Sequence, residues 1–218
     1  MHSTFTTLTF PQREREFLET RYKGARTILE YGSGGSSYLA ASQPDKLTIS
    51  VESDREWAVG LQSEIDVSNP PSQAIVYHVD IGPTGQWGRP IDETSWQRFH
   101  HYPVSVWDEP FFRHPDLVLI DGRFRLACFA TVVMRITRPV LVLFDDYVDR
   151  PSYHVIKKIA EPTQIVGRMA EFRLLPEIKQ KVGLSTLLQL FATVTYADPA
   201  KGRYNLREDF EGVANSGR

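Results

Sequence analysis

The chain has 218 residues, enough for one domain with a substantial buried core. Its formal net charge of -2 does not suit a protein that holds nucleic acid phosphates, so we expect no nucleic acid partner. Cys128 is the single cysteine, which excludes an internal disulfide and indicates a reducing compartment. We find no secretion signal and no run of roughly 20 apolar residues, so we predict a cytoplasmic protein without a membrane partner.

Strand-like and helix-like segments alternate after a charged helical arm in residues 1–25. This alternation predicts a doubly wound α/β fold, with a mostly parallel seven-stranded sheet between two layers of helices. We expect a single domain over 1–218, with a polar tail from residue 199 onward. The predicted strands lie within 25–32, 46–53, 73–80, 116–122 and 139–147, and the intervening helices within 36–43, 54–65, 124–137 and 152–162.

Two parts of the chain are harder to interpret. The segments 165–175 and 187–197 suit two final strands, arranged as an antiparallel edge pair, although 179–191 also fits a partly helical structure. The connection 82–115 lacks clear periodicity but is rich in aromatic residues, so we expect a lid or a pocket wall.

The stretch ILEYGSGGSSYLAA places Gly32 and Gly34 directly after the first predicted strand. Glycine at this position lets a ligand approach the backbone, although many strand–helix turns contain glycine for structural reasons alone. Glu52 ends the second strand, twenty positions after Gly32, where a carboxylate can bind both hydroxyls of a ribose. It could instead be an acid favoured by a helix start. Asp80 ends the third strand at the same edge of the sheet.

This series resembles the motifs of class I S-adenosylmethionine-dependent methyltransferases, over roughly residues 27–146. The resemblance implies that Glu30, Gly32 and Gly34 hold the methionine part of S-adenosylmethionine. It also implies that Glu52 binds the ribose and that Asp80 lies near the adenine. Ser36 replaces the third glycine that is frequent in the family.

Three further acids end the fourth and fifth strands: Asp121, Asp145 and Asp146. Neighbouring strands lie about 4.8 Å apart, so these carboxylates should converge, and a hard cation such as Mg²⁺ would relieve their repulsion. The arrangement resembles metal-dependent small-molecule O-methyltransferases, in which the cation binds two hydroxyls of the acceptor. The alternatives are ion pairs, of Asp121 with Arg123 or Arg125 and of Asp145 with Arg150, or simple turn and capping roles.

Other residues around this edge give the remaining hypotheses. His154, close to the Asp145–Asp146 pair, could act as a general base, or could be an ordinary surface histidine. Asp121 is the second candidate catalytic residue. Arg123 and Arg125 could bind an acidic acceptor, or could simply belong to a solvated helix start. Asp121–Phe124 does not match the tetrapeptide typical of amine methyltransferases. We therefore predict a small-molecule acceptor methylated at oxygen, with a non-catalytic binding protein or an NAD-dependent oxidoreductase as alternatives. The N-terminal arm suggests a possible homodimer contact.

Overall fold

A seven-stranded sheet forms the centre of the structure, a computed structural model that describes residues 4–197. The spatial order is β3-β2-β1-β4-β5-β7-β6, and β7 alone runs antiparallel to the others. The predicted doubly wound fold is therefore confirmed. The strands are β1 Thr27–Tyr31, β2 Leu47–Glu52, β3 Gln73–His78, β4 Leu117–Ile120, β5 Val140–Phe144, β6 Gln164–Val166 and β7 Met169–Leu174.

Helices cover both faces of the sheet, because alternate residues of the strands point to opposite sides. In β1, Ile28 packs with α1 and α2, whereas Leu29 packs in the cluster that contains α5 and α7. All of β4 is buried, as expected for a parallel strand between two helical layers. The helices are α1 Gln12–Gly24, α2 Gly35–Ala41, α3 Arg55–Ser68, α4 His101–Val104, α5 Arg125–Arg135, α6 Ile178–Lys181 and α7 Leu184–Phe191.

The N-terminal arm belongs to the body of the fold. Leu18 and Tyr22 of α1 are fully buried, and they pack with residues of β1 and β4. The apolar face of this helix is thus covered within its own chain, while the homodimer stays a prediction. The predicted polar tail 199–218 lies outside the described residues. Within residues 4–197 no helix combines the length and apolar character that a membrane span requires.

The last strands differ from the first of the two interpretations above. Both β6 and β7 come from the segment 165–175 and its preceding residue, and they form a hairpin with Gly167 at φ 56° in the turn. The segment 187–197 contributes no strand. Its leucines follow a helical period, and Leu187 and Leu190 of α7 are buried in the main core cluster, where α7 packs on α5, so packing favours the helical alternative.

Two connections also have their own character. The predicted helix within 152–162 is a 3-10 helix at Pro151–Lys158. The long connection 82–115 contains short helical turns, and its Tyr102, Val106 and Trp107 are buried in the core. Most of this connection packs into the core, and among its residues only Trp87 lines the cavity described next.

Candidate functional site

A cavity of about 430 Å³ opens at the carboxyl ends of β1, β2 and β4. Its volume lies within the roughly 300–1,000 Å³ that small-molecule sites occupy. Ligands of doubly wound sheets bind at this edge, beside the point where strand order reverses. The cavity is lined by Thr7, Leu8, Thr9, Phe10, Gly32, Ser33, Gly34, Gly35, Ser36, Glu52, Trp57, Trp87, Asp121 and Gly122.

Gly32 has both of the properties that require glycine. Its φ is +99°, in the region that side chains rarely adopt, and an added Cβ would lie 2.8 Å from the backbone nitrogen of Gly122. The turns after β1 and β4 therefore touch through their backbones. By contrast, a Cβ on Gly34 would meet only the ring of Trp57 at 3.9 Å, so this glycine mainly keeps the cavity open.

Glu52 is buried at the wall of the cavity and is held in one orientation. Its Oε1 accepts hydrogen bonds from the backbone N–H groups of Ser53 and Asp54, at 2.7 and 2.9 Å. Its Oε2 accepts from the hydroxyl of Ser33 at 2.8 Å. Burial raises the pKa of this carboxyl, and the three donors oppose that rise. A carboxylate has about four lone-pair sites, so capacity for a ligand hydroxyl remains.

Glu30 does not line the cavity and lies beneath the glycine turn. Its Oε1 accepts from the hydroxyl of Tyr22, and its Oε2 from the hydroxyls of Ser37 and Ser50, each at 2.5 Å. Burial raises the pKa of this carboxyl. These contacts tie α1, the turn, α2 and β2 together, which favours a positioning role; its contact with a cofactor stays a prediction.

Replacing Glu30 with alanine should lower the free energy of unfolding by roughly 2–5 kcal/mol, because three buried hydroxyls lose their acceptor. Urea denaturation measures the loss, with the exposed Glu16→Ala on α1 as control, expected within about 0.5 kcal/mol of the wild type. Glu30→Gln keeps one oxygen acceptor and should lose less. A Glu30→Ala protein as stable as the control would contradict this role.

Asp80 lies apart from the cavity in this structure. Its side chain is 65% exposed, accepts from the backbone N–H of Gly82 and pairs with Arg98 at 2.9 Å. The Gly82 hydrogen bond is the main cause of its lowered pKa. Asp80 does not line the cavity, and its place near an adenine stays a prediction.

Several lining residues carried no functional signal in the sequence. The segment 7–10 crosses over the glycine turn so closely that a Cβ on Gly35 would lie 2.5 Å from the backbone of Thr7. Trp57 shares the four-residue apolar spacing of Leu61 and Ile65, which predicts a helix face, yet its indole N–H donates to the carbonyl of Ser33. Its ring packs at a tilt against Phe5, with centroids 4.9 Å apart. No local sequence pattern predicts the contact of residues 7–10 with the glycine turn or the contacts of Trp57.

The structure brings the three acids of the predicted metal site together, with one oxygen of each within 4.8 Å of the others. We call Asp121, Asp145 and Asp146 the acidic cluster. Five of its six carboxylate oxygens already lie within 3.3 Å of a guanidinium nitrogen. These contacts are Asp121 Oδ1 with Arg125, both oxygens of Asp145 with Arg168, Asp146 Oδ1 with Arg168, and Asp146 Oδ2 with Arg125 and Arg150.

Arg125 is the central partner of the acidic cluster. Its side chain is 5% exposed, and besides the carboxylates it donates to the backbone carbonyls of Asp121, Gly122 and Asp145. Burial raises the pKa of Asp121 to about 7, an effect that Arg125 opposes. The ion pairs considered from the sequence therefore form with Arg125, whereas Arg150 pairs with Asp146 and not with Asp145.

A divalent cation does not fit the acidic cluster as it is built. Guanidinium groups already supply the positive charge that such a cation would bring, and they use the oxygens that would ligate it. Adding Mg²⁺ would place two more positive charges beside three arginines. Assigning these acids as metal ligands is therefore not supported by their contacts.

His154 lies beyond β5, where its Nε2 is 3.0 Å from the carbonyl oxygen of Tyr147 and its ring packs on that tyrosine. It does not line the cavity. Its role as a general base stays a prediction. Cys128 is fully buried in α5, in agreement with a packing role.

Comparison with known proteins identifies the family. A methyltransferase-like protein from Silicibacter pomeroyi is 41% identical, with a TM-score of 0.81; the match covers 86% of this chain and 96% of that one. The O-methyltransferase TomG from Streptomyces achromogenes, solved with S-adenosylmethionine, is 19% identical with a TM-score of 0.50, covering 78% and 82%. A methyltransferase from Geobacter sulfurreducens is 10% identical with a TM-score of 0.51, covering 76% and 80%. No protein-family model and no curated protein matches the sequence.

The two distant structures establish the fold alone. The 41% identical relative, matched over nearly its whole length, shows the family. This chain belongs to the same methyltransferase-like family, and its fold is that of class I S-adenosylmethionine-dependent methyltransferases.

Proposed function

We propose that the protein transfers a methyl group from S-adenosylmethionine to a hydroxyl oxygen of a small molecule. The observation that carries the proposal is the buried Glu52 carboxylate, aimed at the same cavity as the glycine turn. A nucleoside with a free ribose and no phosphate suits this pair. When bound, S-adenosylmethionine supplies an electrophilic methyl group.

The residues of the cavity suit that cofactor. Gly32 and Gly34 leave the backbone accessible, and Glu52 can accept the ribose hydroxyls. Residues 7–10 cover the turn and would shield it from water, which strengthens polar contacts inside the cavity. Proximity of the acceptor oxygen to the methyl group would supply most of the acceleration. We propose no metal-dependent step, because arginines occupy the oxygens of the acidic cluster.

The oxidoreductase alternative is weakened by Ser37. A dinucleotide fingerprint has glycine at this position for close helix–strand packing, but here the Ser37 hydroxyl donates to the buried Glu30. The non-catalytic alternative predicts that the cofactor binds but no methyl group is transferred. Assays of methyl transfer to candidate acceptors therefore distinguish the two, whereas cofactor binding does not.

Calorimetric titration with S-adenosylhomocysteine tests the proposed cofactor site. We expect micromolar binding by the wild type and about 10- to 100-fold weaker binding by Glu52→Ala, because charged hydrogen bonds to the ribose are lost. Glu56→Ala, an exposed acid of the next turn, is the matched control and should bind like the wild type. Binding should be unchanged by EDTA.

Absence of heat with the wild type, together with clear binding of NADH, would replace this proposal with the oxidoreductase. Equal affinity of Glu52→Ala and Glu56→Ala would remove Glu52 from the cofactor site. Once binding is established, a panel of hydroxylated small molecules, followed by mass spectrometry, tests transfer to oxygen.

A further inference from the structure

Arg123 lies beside the acidic cluster but takes no part in its ion pairs. Its Nε is buried and has no hydrogen-bond partner in the structure. Among residues 4–197 no carboxylate lies at ion-pair distance from its guanidinium group. A buried guanidinium nitrogen without a hydrogen-bond partner is costly, because its desolvation is not offset by a new contact. This arrangement suits a group that receives its partner from a ligand.

The carboxylates near Arg123 are held by other groups. Arg125, Arg150 and Arg168 pair with the three carboxylates of the acidic cluster. The carboxylate of Glu52 accepts its hydrogen bonds from Ser33, Ser53 and Asp54, and Arg123 acts on it only through a longer-range attraction that lowers its pKa. Burial is the main cause of the lowered pKa of Arg123, and the nearby positive charge of Arg125 lowers it further. Asp121 opposes the shift.

Arg123 lies close to the cavity and to the acidic cluster. Asp121 and Gly122 line the cofactor cavity, and Arg123 is the next residue along the chain, yet it is not itself part of the lining. Its backbone N–H is 3.4 Å from the hydroxyl of Tyr102. Arg123 lowers the pKa of Glu52 in the cavity wall and of Asp146 in the acidic cluster, so its guanidinium group lies near both.

We propose that Arg123 binds an oxyanion of the methyl acceptor, so that the substrate class is a small hydroxylated molecule bearing a carboxylate or a phosphate. This inference rests on the proposed methyltransferase function. A guanidinium group offers paired N–H donors that match either anion with two parallel hydrogen bonds. No carboxylate of residues 4–197 lies at ion-pair distance from these donors, so they stay available to an anionic acceptor.

The test uses the full chain saturated with S-adenosylhomocysteine, whose binding is measured first. Benzoate and phenyl phosphate are then titrated as probes at millimolar concentration, with neutral benzamide as the matched uncharged probe. We expect at least one anion to bind about 10- to 100-fold more tightly than benzamide, and the preference to disappear in Arg123→Met. Arg123→Lys should retain part of it, and Arg138→Met, at a distant exposed arginine, all of it.

Thermal unfolding is a second measurement, and it distinguishes a ligand-binding arginine from one that stabilises the fold. Removing an unpartnered buried charge should leave the melting temperature of Arg123→Met equal to or above that of the wild type. A clear drop would indicate a structural role and overturn the inference. Equal binding of benzamide and both anions, binding of none of them, or unchanged anion binding by Arg123→Met would also overturn it. Failure of S-adenosylhomocysteine to bind would instead contradict the proposed function.

Discussion

Replacing Gly32 with alanine should abolish S-adenosylhomocysteine binding and lower the free energy of unfolding by about 3 kcal/mol or more. The added Cβ would lie 2.8 Å from the Gly122 nitrogen and 2.9 Å from its Cα, and the backbone φ of +99° is strained for any side chain. Neither contact can relax cheaply, because both atoms belong to the backbone of the neighbouring turn. The two turns must therefore separate, and the cavity wall that they form is lost.

Urea denaturation and calorimetric titration measure the two effects. Gly24→Ala is the matched control, because a Cβ there meets nothing within 4 Å and its φ is not positive. That variant should keep its affinity for S-adenosylhomocysteine and unfold within about 1 kcal/mol of the wild type. A Gly32→Ala protein that binds S-adenosylhomocysteine normally would show that the close approach of these turns does not shape the site.

Replacing Arg125 with methionine should cost about 3–5 kcal/mol, since Asp121 loses its ion-pair partner and three backbone carbonyls lose a buried donor. Arg125 joins Asp121 to Asp146 and also satisfies three backbone carbonyls, a set of acceptors that a single ammonium cannot reach. Arg125→Lys should therefore recover only part of the loss. Arg138→Met, which removes an exposed pair with Asp116, should cost about 0–1 kcal/mol.

The cost of Arg125→Met should depend on pH in a definite direction. The folded-state pKa of Asp121 is raised to about 7, above its unfolded value of about 3.9, so its protonated form favours the folded state. Its contribution to stability is full below the unfolded pKa and is lost as pH rises through the folded one. Without Arg125 the folded pKa rises further, so the destabilisation should be larger at about pH 8 than at about pH 5. An equal loss at both values, or a greater loss at the lower pH, would contradict this account.

The site was partly predictable because some of its chemistry is local in sequence. Gly32 and Glu52 end adjacent parallel strands, and strands of one sheet deliver their carboxyl ends to one edge. The same reasoning brought the acidic cluster together correctly. The sequence did not predict that Arg168 pairs with these acids. Arg168 lies in the hairpin turn between β6 and β7 and reaches Asp145 only because β7 pairs antiparallel with β5.

Other differences have the same origin. Residues 7–10 reach the cavity by crossing over Gly35, a contact between two segments with no shared sequence pattern. The segment 187–197 was ambiguous because leucine-rich runs suit a buried strand or a helix, and the packing of α7 on α5, with Leu187 and Leu190 in the core, decided between them.

The sequence by itself determined the alternation of strands and helices, the parallel sheet and the positions of Gly32 and Glu52. Each of these follows from side-chain periodicity or from backbone freedom over a few neighbouring residues. Tertiary structure alone decided that Glu30 lies beneath the turn and that arginines neutralise the acidic cluster. It also decided that Arg123 stays without a partner. These outcomes depend on distances between residues far apart in the chain, and a carboxylate's role is set by the charges that packing places around it.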